Sequence, residues 1–451
     1  MANMLDSPRQ RRTPALGPDR AAAATSVALE VARRLGDPAQ VAAAVAAAAQ
    51  QTAFPESVHW APSSLAQGDT GLALLCSYLD TCCPDEGWDV TGHQFLTSAA
   101  RAAERSGELP PGIFGGTSGL AFAAWSLSRG GTRYQRLLGA LEDALLPQAR
   151  QLASTLDRQT GGAFVAQFDL ISGLSGVGAY LLCRRQQPQV ADALDVVLRS
   201  LVALTTTTER PPRWHTPARF MRDESMARHY PYGNLNCGLA HGIPGPLALM
   251  ALAHLEGVTV PGLAEAMGRV ADWLVNNRAD DAWGVNWPTA VALTADGGWD
   301  PAVPSEPSRS AWCYGSPGVA RALWLAGAAL GDVGLCALAV EAMVAVLARP
   351  VPARRIDSAT FCHGVAGLLQ VTLRFAHDTG LQQFVDATQA LTNQLLGMYE
   401  PERILGFSSL EPAGNRVDQP GLLDGAPGVV LTLLAAATAV DPSWDRLFLL
   451  A

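Results

Sequence analysis

Lysine is absent from this 451-residue chain, so all 32 basic residues are arginine. Against them stand 41 acidic residues, a formal net charge of −9. That balance excludes the clustered positive surface that broad nucleic-acid binding needs. Without lysine there is also no Gly-Lys step to cradle a nucleotide phosphate. Long apolar runs are missing: the stretch "VVLTLLAAATAV" at 429–440 is too short to span a membrane and ends at Asp441. The N-terminal "MANMLDSPRQRRTPALGPDR" has no apolar core and does not read as a secretory signal. A disordered tail over 1–20 and a cytoplasmic location are the expectations. Strand signals are sparse. The eight cysteines are scattered through the chain, unlike a small disulfide scaffold. What is abundant is apolar surface, 49% of residues against 16% charged, enough for a large core.

Glycine is plentiful, and it is patterned. A Gly-x-x-Gly step ahead of an apolar run occurs seven times: "AQGDTGLALL", "FGGTSGLAFA", "ISGLSGVGAY", "AHGIPGPLAL", "CYGSPGVARA", "CHGVAGLLQV" and "LDGAPGVVLT". The first glycines are Gly68, Gly116, Gly173, Gly242, Gly315, Gly364 and Gly425, spaced 48, 57, 69, 73, 49 and 61 residues apart. The residue before each second glycine is small or proline. The residue after it is apolar in six cases, and is Pro246, suited to a first helical turn, in the seventh. Each step therefore predicts a tight loop feeding a helix. Between the steps lie further helical patterns such as 133–154 and 263–277. Repeats of this length holding two helices bury their faces by stacking, either in an open solenoid or in a closed ring. Closure of a ring would set all seven steps around one rim.

Aligned on the first glycine, the preceding position reads Gln67, Gly115, Ser172, His241, Tyr314, His363 and Asp424. The one before it reads Ala66, Phe114, Ile171, Ala240, Cys313, Cys362 and Leu423. In a ring, Cys313, Cys362, His363 and His241 fall in one layer. Two thiolates and an imidazole with an open fourth position match a catalytic zinc set. On residue types alone, two ordinary buried thiols are an equal reading.

The segments "NCGLAHGIPG" (236–245), "RSAWCYGSPG" (309–318) and "FCHGVAG" (361–367) resemble the three signature segments of lanthionine synthetase C proteins, the cyclases of class I lanthipeptide biosynthesis. The seven steps and the chain length resemble that family too. The likeness covers nearly everything after the tail and is specific, because the three segments occur together and in order. It implies an all-α, double-layered α/α toroid (α/α barrel) of seven helical-hairpin repeats, with seven inner and seven outer helices, as a single domain over 21–451. It further implies one Zn²⁺ per chain, held by Cys313, Cys362 and His363. His241 corresponds to the acid/base histidine, Asp169 in "FDLISGLSG" to its acidic partner, and Arg309 and Tyr314 to active-site residues beside the first cysteine ligand. The implied partners are a dehydrated precursor peptide, a separate dehydratase, and an export transporter in a membrane-associated complex.

The implied reaction adds a peptide cysteine thiol to dehydroalanine or dehydrobutyrine, closing a thioether ring. Zn²⁺ with two protein thiolates, one neutral imidazole and a substrate thiolate carries a net charge of −1. Fewer neutral ligands leave the substrate sulfur more nucleophilic, which is why a Cys-Cys-His set suits thiol alkylation. The addition generates an enolate, which His241 could protonate, with Asp169 holding its ring and Arg309 stabilising the oxyanion or orienting Asp169. Bland readings stand beside these: Asp169 as a helix cap, Arg309 as part of a surface loop, Tyr314 as rim packing.

Other features read more weakly. Cys82 and Cys83 are expected to be free thiols on a loop. The Arg- and His-rich segment 213–233 is a peptide-binding surface or a solvated crossover. The irregular segment 281–310 reads as a loop over the site, "TTTT" at 205–208 as a plain loop, and no small inserted domain can be placed. Competing functions are a zinc protein of the same fold that adds glutathione to dehydroamino acids, and a non-catalytic scaffold of a peptide-modifying complex. A toroid glycosidase would need two inward carboxylates, and only Asp424 occupies the aligned slot.

Overall fold

The computed structural model describes residues 15–206, 210–221, 223–300, 303 and 308–451. Most of the expected tail (1–14), two of the four threonines at 205–208, and residues 301, 302 and 304–307 of the irregular segment lie outside the described residues. Helix begins at Pro18, three residues inside the stretch expected as tail, with proline at the first helical position and Asp19 in the first turn.

Every glycine step feeds a helix: Asp69–Cys82, Thr117–Ser126, Leu174–Cys183, Pro244–Leu255, Ser316–Leu330, Val365–Thr379 and Ala426–Ala437. In six of them the first glycine of the step is the cap residue; in the fourth the cap falls on Ile243. These helices are apolar on all sides. Every residue of Ala426–Ala437 is buried, and so are the first ten of Pro244–Leu255. A helix buried all round needs a covering layer. It comes from two-faced helices between the steps: Trp88–Ser106, Gln135–Arg158, Pro188–Thr205, Leu263–Asn276, Val333–Ala348 and Gln382–Gly397, with Pro18–Leu35 ahead of the first step. Leu263–Asn276 buries Leu263, Ala266, Met267, Val270, Ala271 and Leu274, the three-and-four spacing of a single helical stripe.

The glycines are required by contact between backbones. A Cβ on the second glycine of a step would stand 2.5 Å from the carbonyl oxygen six residues earlier at both Gly71 and Gly428, and 2.1 Å from it at Gly176. At Gly315 it would stand 1.8 Å from the Arg309 oxygen, and φ there is +98°, left-handed as well. The loop folds back so tightly onto the start of its helix that no side chain fits.

Two compact units divide the chain. The first comprises Met1–Leu109, Phe114–Leu141 and Arg355–Asp445. Within it, successive loops are joined backbone to backbone. Ala66 N donates to Phe114 O (3.0 Å), Leu422 N to Ala66 O (2.7 Å) and Cys362 N to Leu423 O (2.9 Å). First and last repeats are thus neighbours here. Pro18–Leu35 packs on Ala426–Ala437, and Arg34 donates to the carbonyls of Pro401 and Arg403 at 3.1 and 2.8 Å. The unit also holds a fully buried ion pair. Asp445 Oδ2 accepts from Arg374 Nε and from Gln370 Nε2, both at 2.6 Å, and Asp445 Oδ1 accepts from Arg374 Nη2. Cys82 closes the helix Asp69–Cys82 and Cys83 caps it, so the pair sits at a helix end and not on a free loop.

The second unit comprises Pro110–Ile113, Glu142–Arg354 and Arg446–Ala451. Its loops are joined in the same way: Leu170 N donates to Ala240 O (3.1 Å) and Ala240 N to Cys313 O (3.2 Å). The two irregular segments flanking the fourth repeat form a small appendage. Strand Asn234–Asn236 pairs antiparallel with Ala290–Ala292, Asn234 opposite Ala292, and Thr216 bridges to Asn234. The segment 213–233 carries a short helix, Glu224–His229, capped by the Asp223 carboxylate. The last residues pack inward: Trp312 Nε1 donates to Phe448 O (3.1 Å) and Arg321 Nε to Leu450 O (2.8 Å).

Asp445→Ala leaves the buried Arg374 guanidinium with only the exposed Asp441 carboxylate, 3.6 Å away, and is expected to cost about 3–5 kcal/mol, read as a lowered urea midpoint. The double variant Arg374→Met/Asp445→Leu should recover much of that loss; equal instability of the two would contradict the assignment.

Candidate active site and metal centre

The third and fourth glycine loops place the acid/base candidates. Asp169 follows the short helix Val165–Phe168 and sits just ahead of Leu174–Cys183. Its Oδ1 accepts from the amides of Ser172 and Gly173, both at 2.8 Å. Its Oδ2 lies 2.7 Å from His241 Nδ1. Asp169 does not cap the helix Leu174–Cys183, whose cap residue is Gly173; one oxygen takes the two loop amides and the other faces His241. The carboxylate is almost completely buried, at 2% side-chain exposure, while the His241 ring is 39% exposed. An ionised carboxylate only accepts, so Nδ1 carries the hydrogen and Nε2 is the free atom facing outward.

Beside this pair stands Tyr314. Its ring centroid is 6.2 Å from that of His241, tilted by 35°, and its hydroxyl accepts from Asn236 Nδ2 at 3.1 Å. Asn236 Oδ1 in turn accepts from the Gly238 amide at 2.8 Å. A Cβ at Gly238 would come within 2.6 Å of the Tyr314 ring, so glycine lets the ring lie flat on this loop. Reading the sequence for reactive groups missed Asn236 and Gly238. The signal was the Asn-x-Gly spacing in "NCGLAHG", in which an asparagine bonds the backbone two residues on. Arg309 is exposed, and no described residue makes a hydrogen bond or ion pair with its side chain. It does not orient Asp169, whose partners are the two amides and His241.

Among the described residues, the group of three His, Cys, Asp or Glu side chains placed to share a metal ion is Cys313, Cys362 and His363. Their ligand atoms all lie within 4.8 Å of one another. The donor types, two thiols and an imidazole, are those zinc prefers. The Ala240–Cys313 backbone bond sets His241 beside the first cysteine, and Cys362 and His363 share a loop tied by its amides to Leu423 O. His363 Nδ1 lies 3.4 Å from Asp424 Oδ1.

The remaining cysteines belong to no such group among the described residues. Burial pushes Cys76 and Cys237 up to about 12, and Cys82 and Cys336 up to about 11. Burial likewise raises Cys83 and Cys183. No helix among the described residues is long and apolar enough to cross a membrane.

Three comparisons bear on this arrangement. The family described as "Lanthionine synthetase C-like protein" matches residues 59–449. The nisin biosynthesis protein NisC of Lactococcus lactis subsp. lactis is 25% identical over 349 residues, which cover 76% of this chain and 78% of NisC. The solved structure of a nisin cyclase superposes with a TM-score of 0.74 at 21% identity, over 87% of this chain and 93% of that one. The fold is therefore that of nisin cyclase, an all-α helical toroid. The family match extends through all seven glycine steps and the Cys313, Cys362 and His363 group, and the chain belongs to the lanthionine synthetase C-like family.

Proposed function

We propose that the protein is a zinc-dependent lanthipeptide cyclase, closing (methyl)lanthionine rings in a precursor peptide already dehydrated at Ser or Thr. The observation that carries this reading is the Cys313, Cys362 and His363 group, joined through the Ala240–Cys313 backbone bond to the buried Asp169–His241 pair. In the reaction, an S–C bond forms at the β-carbon of the dehydro residue and its C=C π bond is lost. The thiol proton leaves on binding and one proton is gained at the α-carbon, so the sum is redox-neutral.

Zinc held by the three ligands would ionise the incoming thiol, only about 3% of which is thiolate at pH 7 when free. The rest falls to the chain's own groups. Asp169, pinned by two amides, holds the His241 ring with Nε2 outward. The imidazolium is the form that donates. His241 Nε2 then delivers the proton to the α-carbon of the enolate. Tyr314, fixed by Asn236, packs beside that ring and limits the face from which the proton arrives. Arg309, exposed and without a side-chain partner among the described residues, is available to the enolate oxygen or to a peptide carboxylate. A dehydratase acting earlier and a transporter acting later, both as separate proteins, complete the reading, since no Gly-Lys phosphate step exists to drive dehydration here.

One zinc per chain is expected by metal analysis, and it should be lost in Cys313→Ala/Cys362→Ala. Stoichiometric zinc in that double variant refutes the ligand set. Alkylation with iodoacetamide gives a second check. Cys362 should be labelled after chelation and protected when zinc is restored, with Cys76 and Cys237 unlabelled in both states.

His241→Asn should retain zinc and helical content while losing ring formation, or its stereochemical control, by at least about 100-fold in rate. An unchanged rate with native stereochemistry removes His241 from the proposal. Given dehydrated peptide and no nucleotide, the wild type should consume peptide thiols, counted with a thiol-blocking reagent because cyclisation does not alter mass. Loss of water from an unmodified peptide with ATP would contradict a stand-alone cyclase, and exclusive consumption of glutathione would favour the glutathione-adding alternative.

A further inference from the structure

The seventh glycine loop contributes a side chain that the proposed reaction leaves unused. Asp424 occupies the slot that holds His241 in the fourth repeat, Tyr314 in the fifth and His363 in the sixth. It is not a member of the three-residue metal group. Its Oδ1 lies 3.4 Å from His363 Nδ1, and the two side chains are about equally half-buried, at 31% and 29% exposure. This approach is not a chance meeting of long side chains. The adjacent carbonyl, Leu423 O, accepts from the amides of both Phe361 and Cys362, at 3.2 and 2.9 Å. The backbones carrying Asp424 and His363 are therefore held in register one residue away from the contact. Neighbouring glycines keep both loops tight: a Cβ at Gly425 would stand 2.0 Å from Gln419 O, and one at Gly364 2.4 Å from Ser358 O.

We infer that Asp424 is a positioning residue for the metal centre, accepting from His363 Nδ1–H so that Nε2 is the nitrogen presented to the ion. The inference rests on the zinc reading above. A carboxylate at one imidazole nitrogen claims it as the N–H donor. It thereby fixes the tautomer, limits rotation of the ring and makes the other nitrogen a stronger base. Without it, either nitrogen of His363 can carry the hydrogen, and a half-exposed ring is free to turn. The carboxylate also adds negative charge beside a centre that already carries two thiolates, which favours retention of a dication and an electron-rich substrate sulfur. The aligned slot thus holds a His241-type proton donor at one place and a ligand-orienting carboxylate at another.

The test is zinc affinity of the full-length holoprotein, measured by competition with a chelator of known affinity and without any assay of activity. Asp424→Asn is expected to weaken zinc binding about 10–100-fold, and Asp424→Glu to recover most of that loss. Cobalt(II) loaded into Asp424→Asn should still show thiolate-to-cobalt charge-transfer bands, because Cys313 and Cys362 remain, and the metal-free variant should melt with the metal-free wild type. Wild-type zinc affinity in Asp424→Asn overturns this inference and leaves the zinc reading intact. A metal-free Asp424→Asn that melts well below the metal-free wild type overturns it as well, since the carboxylate would then serve loop packing. A wild type that binds no zinc overturns both readings together.

Discussion

The site depends on a repeated contact between backbones. At several glycine steps the loop gives a carbonyl, two residues before its first glycine, to an amide of the preceding repeat's loop. Phe114 O receives Ala66 N, Cys313 O receives Ala240 N, and Leu423 O receives Cys362 N. Such bonds form only if the loops lie flat against their own helices, and this is where a Cβ would collide with a carbonyl six residues back. Glycine carries an entropic cost in the unfolded chain, offset here by backbone groups that find partners in a buried rim. Because the bonds run through backbone, residue type at the two slots ahead of each first glycine is free to vary. One scaffold position can hold Phe114, a thiol or a leucine without changing how the loops meet.

That freedom explains why chemistry gathers in these slots. Neighbouring loops tied at a fixed offset bring their slot residues side by side. His241 faces Tyr314 across one such tie, and His363 faces Asp424 across another. A zinc ligand and its orienting carboxylate need relative placement within a fraction of an ångström to act together. Short glycine loops with both ends hydrogen-bonded supply it better than long loops would. Asp169 reaches His241 by the same logic, its second oxygen pinned to the start of its own helix by the amides of Ser172 and Gly173.

Much of this was legible in the chain before any coordinates. The seven steps, the helices they feed and the slot alignment that groups Cys313, Cys362 and His363 all follow from local pattern, because glycine and helix-start signals act over a few residues. What depended on distant partners was not legible. Asn234–Asn236 becomes a strand only because Ala290–Ala292 arrives beside it, and three residues of Asn-Leu-Asn carry no period to announce that. Asp445 reads as a charge in a terminal stretch, yet it is wholly buried by Arg374 and Gln370. The Cys82–Cys83 pair was misplaced by composition alone, since the helix from Asp69 runs one turn further than the acidic "PDEG" after it suggests. Arg309 was expected as an active-site residue, but a side chain that bonds no described residue has a role set by substrate, and substrate is not written in a spacing.

The proposed reading assigns proton transfer and metal binding to different groups, and that separation has a physical basis. A group that must donate a proton and be recharged each cycle needs contact with water, and His241 is the more exposed member of its pair at 39%. A thiol that must stay ionised as a ligand needs shielding from competing protons, and Cys313 is 6% exposed. The other thiols show what burial does when no cation is proposed nearby: Cys76 and Cys237 are pushed up to about 12 and stay protonated at neutral pH. On the proposed reading, a shielded thiol becomes a useful thiolate only where a cation is held beside it.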